Sequence, residues 1–147
     1  MPRISFNCEG TEMPRFDLDV VRRWIVAVAG SFSRSVGELS YLFCNDEKIL
    51  EVNRQFLQHD YYTDIITFDY SSRRRIAGDM VISLDTVRSN AEMLGKSFDE
   101  ELMRVVIHGV LHLVGVNDKG PGEREVMEHH EDAALGVLRE LLAAAGR

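Results

Sequence analysis

Residues 97–118 read SFDEELMRVVIHGVLHLVGVND, and this stretch decides the fold. Ser97 is a capping residue with Glu100 three positions on, the spacing of a capping box. Leu102, Val105, Val106, Ile107, Val110, Leu111 and Val114 then make the helix apolar nearly all round. Such a helix belongs inside a domain, covered by other elements. His108 and His112 interrupt the apolar run four residues apart, one turn along the same face. Gly115 readily takes the left-handed conformation that ends a helix, and Asp118 follows three residues later. Two imidazoles and a carboxylate so spaced are the donor set of an open metal site with a position left for water. The competing reading is two core histidines bonded to backbone or water, with Asp118 capping or closing a turn.

Working outward, the chain upstream alternates strands and helices. Ile4–Phe6 reads as a first strand, and Asp17 caps a helix carrying Val20, Val21, Trp24, Ile25 and Val28 up to Gly30. Gly37 opens a strand over Glu38–Cys44. Asn45 or Asp46 caps a second helix through Ile49, Leu50, Val52, Asn53 and Phe56. Residues 57–64, LQHDYYTD, form a polar loop leading to the strand Ile65–Asp69. A polar turn, SSRRR over 71–75, leads to a strand over Ile76–Ser83, so these two strands should pair. Asp85 is expected to cap the next helix, which runs through Val87, Ala91 and Leu94 and is closed by Gly95.

Downstream, Pro121 stands where a first helical residue would be. The last helix should run to about Ala145, with Val126, Met127, Ala134, Val137, Leu138, Leu141 and Leu142 on its inner face. This order predicts an α+β fold: a small mixed sheet of about four strands with packed helices, one of them a buried metal-bearing helix, in a single domain over 1–147.

Composition bounds the function. At 147 residues and 45% hydrophobic content the chain can bury a core of its own. The opening MPRISFNCEG has no long apolar run, so no signal peptide is expected, and no stretch is long enough to span a bilayer. Cys8 and Cys44 share no metal-like spacing and read as reduced thiols of a cytoplasmic protein. A net charge of −7 argues against bulk-charge binding of nucleic acid, yet leaves room for local basic patches such as Arg22–Arg23 and Arg73–Arg74–Arg75. Arginine is the better residue for phosphate forks; solvated surface charge is the plainer reading of either cluster.

The spacing H-x3-H-x2-G-x2-D reproduces the ligand spacing of the metzincin zinc motif, with a carboxylate in the third place. Metzincins carry a glutamate directly after the first histidine as general base. Here that residue is Gly109, which removes the base of ordinary peptide hydrolysis.

Three blocks together resemble the YbeY family of bacterial rRNA maturation factors, small metal-dependent single-strand endoribonucleases. The family motif H-G-x-L-H-L-x-G-Y-D-H is matched by His108, Gly109, Leu111, His112, Leu113 and Gly115. A block of the form D-x-P-T-D-V-L-S-F is matched by Asp60, Thr63, Asp64 and Phe68, and a G-D-x-x-I strand by Gly78, Asp79 and Ile82. The resemblance covers essentially the whole chain. It implies one zinc ion held by His108, His112 and Asp118, with Asp118 where the family has its third histidine. A carboxylate there lowers the net charge of the centre and should leave a bound water less acidic. The family's loop arginine falls on Leu57 and its proline on Tyr62.

The implied substrate is single-stranded RNA, in 16S rRNA maturation and ribosome quality control, with the ribosome or its small subunit as partner. Candidate RNA-binding residues are Arg54, Arg88, Arg73, Arg74, Arg75, Tyr61 and Tyr62. His59, Asp60 and Asp64 are weak candidates to move protons, and each is read first as structural. Glu128 or Glu131 is a remoter candidate for a downstream carboxylate ligand. The alternatives are a metal-dependent hydrolase of another substrate, peptide included, and a non-catalytic ribosome-associated zinc protein.

Overall fold

A computed structural model describes residues 2–57 and 63–146 of the chain. Its sheet has four strands, β1 (Arg3–Cys8), β2 (Ser35–Cys44), β3 (Ile65–Asp69) and β4 (Arg75–Ser83), in the order β1-β2-β4-β3. β1 and β4 both run parallel to β2, and β3 pairs antiparallel with β4 at the edge. The expected mixed sheet and the expected β3–β4 pairing are both present.

Strand alternation sorts the side chains into two layers. Leu39, Tyr41 and Phe43 of β2, with Ile76, Met80 and Ile82 of β4, join the main core; Cys44, Ile66 and Val81 face a smaller one. The register of β2 shifts against β4 between Val36 and Leu39, a bulge that keeps both of these residues in the main core despite their odd spacing.

The main core is closed by α1 (Leu18–Ser31), α4 (Phe98–Leu113) and α5 (Glu123–Ala145), while α2 (Asp46–Val52) covers the smaller one. α3 (Leu84–Leu94) packs chiefly against α4. Each of the first four helices begins at a side-chain cap. Asp17, Asn45, Ser83 and Ser97 accept from the backbone N–H three residues on, at 3.1, 2.9, 3.3 and 3.1 Å.

α4 is the axis of the domain, as its sequence demands. Val106, Ile107, Val110 and Leu111 are almost wholly removed from water, each worth at most about 1.5–3 kcal/mol of apolar burial. Tyr41 of β2 donates its hydroxyl to Val106 O at 3.0 Å, and Trp24 of α1 donates Nε1–H to Ala134 O of α5 at 2.7 Å. These buried bonds fix α4 on the sheet and α5 against α1.

Five local expectations differ. α1 runs past Gly30 to Ser31, and the left-handed turn falls on Ser33. α2 gives way to a π-helical segment, Asn53–Leu57. Ser83 caps α3, leaving Asp85 in the first turn, where its carboxylate accepts from Asp46 N at 3.0 Å. α5 starts at Glu123, because Gly122 stands at its N-cap in a left-handed conformation; Pro121 precedes the helix. The inner face of α5 is Met127, Glu131, Ala134, Leu135 and Leu138, whereas Val126, Val137 and Leu142 are exposed.

Candidate active site

The C-terminal half of α4 places the two histidines beside β3, where they share a cavity with Ile65 and Thr67. Gly109 lies between them and faces β3 and β4. A Cβ built there would stand 3.0 Å from Met80 and 3.1 Å from Ile65. The helix therefore rests directly on the strands, and His108 is set at the lip of the sheet beside Asp64 and Thr67. Position 109 points into the core, so a glutamate there would not face solvent chemistry at all. After Leu113 the chain turns through Gly115 at φ +102°, and that turn brings Asp118 back to His108.

His108 has a carboxylate at each ring nitrogen. Its Nδ1 lies 2.7 Å from Glu131 Oε2 on α5, and its Nε2 lies 3.2 Å from Asp118 Oδ2. Burial alone would hold the imidazole pKa down, but the bond and charge of Glu131, with the charges of Asp118 and Asp64, raise it above the ordinary value. Two acceptors cannot both be satisfied by a neutral ring, which carries one N–H. The pocket thus calls for a second proton on the ring, at Nε2, or for a metal cation there.

His112 follows one turn on, exposed, with its ring 6.5 Å from that of His108 and inclined to it by 10°. Among the described residues, no three His, Cys, Asp or Glu side chains converge as a ready metal cluster. The His108–Asp118 edge is nonetheless of the right size. Two ligand bonds of about 2.1 Å at a tetrahedral angle set their donor atoms about 3.4 Å apart.

Two cavities flank this edge and share Asp64, His108 and Asp118 as walls. One, of about 350 Å³, adds Asn53, Leu57, Thr67, His112 and Lys119. The other, of about 650 Å³, extends between α4 and α5 and is bordered by Lys96, Arg104 and Arg124 as well as Glu101 and Glu131. Burial pushes the Asp64 carboxyl above the usual carboxylate range, against the pull of His108.

A family model described as Endoribonuclease YbeY matches residues 4–139. The chain belongs to this family. Among its relatives, Endoribonuclease YbeY of Bacteroides thetaiotaomicron is 58% identical over 134 residues, covering 91% of this chain and 98% of the relative. Endoribonuclease YbeY of Phocaeicola vulgatus is 59% identical over 135 residues, covering 92% and 98%. A Thermotoga maritima protein solved in solution shares the fold, with a TM-score of 0.65 at 24% identity, covering 96% of this chain and 90% of that one.

The structure of this YbeY family member brings His108, Asp118 and Asp64 together and keeps His112 one turn away on the same helix. His59, Asp60, Tyr61 and Tyr62 lie outside the described residues. Arg73 and Arg74 sit in the turn before β4 and Arg75 at its first residue, away from both cavities. Arg88 pairs with Asp85 at 3.8 Å and lies over the Phe98 ring, and Arg54 borders a separate surface hollow with Glu47 and Glu51. Leu57, at the family's arginine position, lines the smaller cavity.

Residues that the sequence did not single out include Arg104 and the bordering cations Lys96, Lys119 and Arg124. Glu131 was a candidate ligand, yet it meets His108 at Nδ1, the nitrogen turned away from Asp118. The one available signal was spacing: Arg104 precedes His108 by four residues, and so shares its helix face. No described helix is long and apolar enough to cross a membrane.

Proposed function

We propose that this chain is a zinc-dependent endoribonuclease that cuts single-stranded RNA during 16S rRNA maturation and ribosome quality control in the cytoplasm. Membership of the Endoribonuclease YbeY family supports the reaction class and the RNA substrate. The observation that carries the site is His108 held between two carboxylates, with Nε2 and Asp118 Oδ2 3.2 Å apart. A cation between these atoms resolves the clash of two acceptors. His108, His112 and Asp118 would hold one zinc ion.

When bound, the ion supplies Lewis acidity toward a phosphoryl oxygen or a water. The chain's own residues do the rest. The two cavities give a strand of RNA room on either side of the His108–Asp118 edge. Lys119 on one side, and Lys96 and Arg124 on the other, stand where backbone phosphates would pass. Asp64 borders both cavities beside His108, where its carboxylate is placed to move a proton. Because Gly109 faces Met80 and Ile65, the zinc-peptidase base has no place here, and the peptide reading loses its chemistry.

Metal content and cleavage of a single-stranded RNA should be measured together for wild type and His112→Ala. The expected result is about one zinc per chain in the wild type, with both zinc and cleavage lost in the variant. Undiminished cleavage by His112→Ala would place the activity elsewhere.

A further inference from the structure

We infer that Glu131, braced by Arg104, is a positioning residue that fixes the His108 ring with its Nε2 edge toward Asp118. This rests on the metal-site reading above and deepens it. Glu131 is only 5% exposed on α5 and uses both oxygens. Oε2 accepts from His108 Nδ1 at 2.7 Å, and Oε1 accepts from Arg104 Nη1 at 2.8 Å. Arg104 is itself anchored a second time, donating Nη2–H to Asp132 at 2.8 Å. Arg104 and His108 lie four residues apart on α4, and Glu131 and Asp132 are neighbours on α5. The four side chains therefore form one connected chain across the helix pair.

The chemistry is directional. A buried carboxylate accepts and does not donate, so it selects the ring form with hydrogen on Nδ1. That leaves Nε2 as the nitrogen offered to the centre, and the short bond also fixes the ring's rotation. Carboxylate partners of this kind orient metal-binding imidazoles and raise their basicity. If the contact were only an α4–α5 brace, the Arg104–Glu131 bond would suffice. The second oxygen would have no reason to meet a ring nitrogen 2.7 Å away.

The test uses the full chain, wild type and the variants Glu131→Leu, Glu131→Gln and Arg104→Gln, with folding checked by circular dichroism. Two quantities are read. The ¹⁵N shifts of the His108 imidazole in metal-free protein, at a pH where the ring is neutral, report which nitrogen carries hydrogen. Competition with a chromophoric chelator gives zinc affinity. Wild type should hold hydrogen on Nδ1, and Glu131→Leu should show mixed tautomers with zinc affinity about 10–100-fold weaker.

Glu131→Gln, whose amide oxygen can still accept, should recover the tautomer and part of the affinity. Arg104→Gln should weaken zinc by less than Glu131→Leu does. Hydrogen on Nε2 in the wild type overturns the proposal. So does a folded variant set with tautomer and zinc affinity unchanged; if Glu131→Leu does not fold, the Glu131→Gln and Arg104→Gln pair decides by the same criterion. Should wild type bind no zinc, the metal reading fails while the tautomer measurement still judges Glu131.

Discussion

Gly109 shows why the residues beside a metal-type motif matter as much as the motif. It has no side chain because α4 sits against Met80 and Ile65, and the same contact seats His108 at the edge of the sheet. Gly109→Glu would force a carboxylate into that contact. We expect a loss of more than about 3 kcal/mol, the scale of an unpaired buried charge, read by urea denaturation. Stability within about 1 kcal/mol of wild type would mean that the helix does not rest on the strands as described. The thiols make a second prediction at this scale. Cys44 is buried and burial pushes its thiol up to about 12, whereas Cys8 is exposed. A thiol-disulfide reagent near pH 8 should label one cysteine per folded chain and two after unfolding.

Among the elements, α4 was the most legible and α5 the least. Apolar character nearly all round marked α4 as buried, and the histidine spacing put both rings on one face. α5 misled for a physical reason: its inner face contains a carboxylate. Reading for apolar residues drew in Val126, Val137 and Leu142, which are exposed, and passed over Glu131, which is buried because His108 and Arg104 satisfy it. The start of α3 was hidden in a similar way, since Ser83 and Asp85 are both capping residues. Asp46 settles the matter. Its Oδ1 accepts from Ser83 Oγ and Thr86 Oγ1, both at 2.6 Å, and Asp85 in return accepts from Asp46 N. This knot ties the first turns of α2 and α3 together. Asp46→Ala should cost about 2 kcal/mol, and Asp46→Asn, which keeps an acceptor, clearly less in thermal or urea unfolding. Equal losses for the two would show that the hydroxyl bonds contribute little.

For the molecule as a whole, the fold class, the strand pairing and the buried helix followed from periodicity and turn residues. The walls of the site did not, because they depend on which long-range neighbours meet. The arginine run at 73–75 drew attention by composition, yet the cations beside the His108–Asp118 edge are the scattered Lys96, Lys119 and Arg124. With a net charge of −7, the RNA binding proposed above would rest on a few local contacts of this kind. For about three phosphate contacts on a single strand, log K should fall with log salt at a slope of about −2. A slope near zero would argue that phosphates do not pass these residues. Zinc should also stabilise the fold by linkage, by about 2.7 kcal/mol at a hundredfold excess over its dissociation constant. The unfolding midpoint should drop on chelation and recover with added zinc.

The central claim is that the His108–His112–Asp118 set binds one zinc ion on which RNA cleavage depends. The most direct measurement is a zinc titration of metal-free protein while cleavage of a single-stranded RNA is followed. Cleavage should be negligible at the start, rise linearly, and saturate at about one equivalent. Full cleavage by the metal-free protein with chelator present would contradict it.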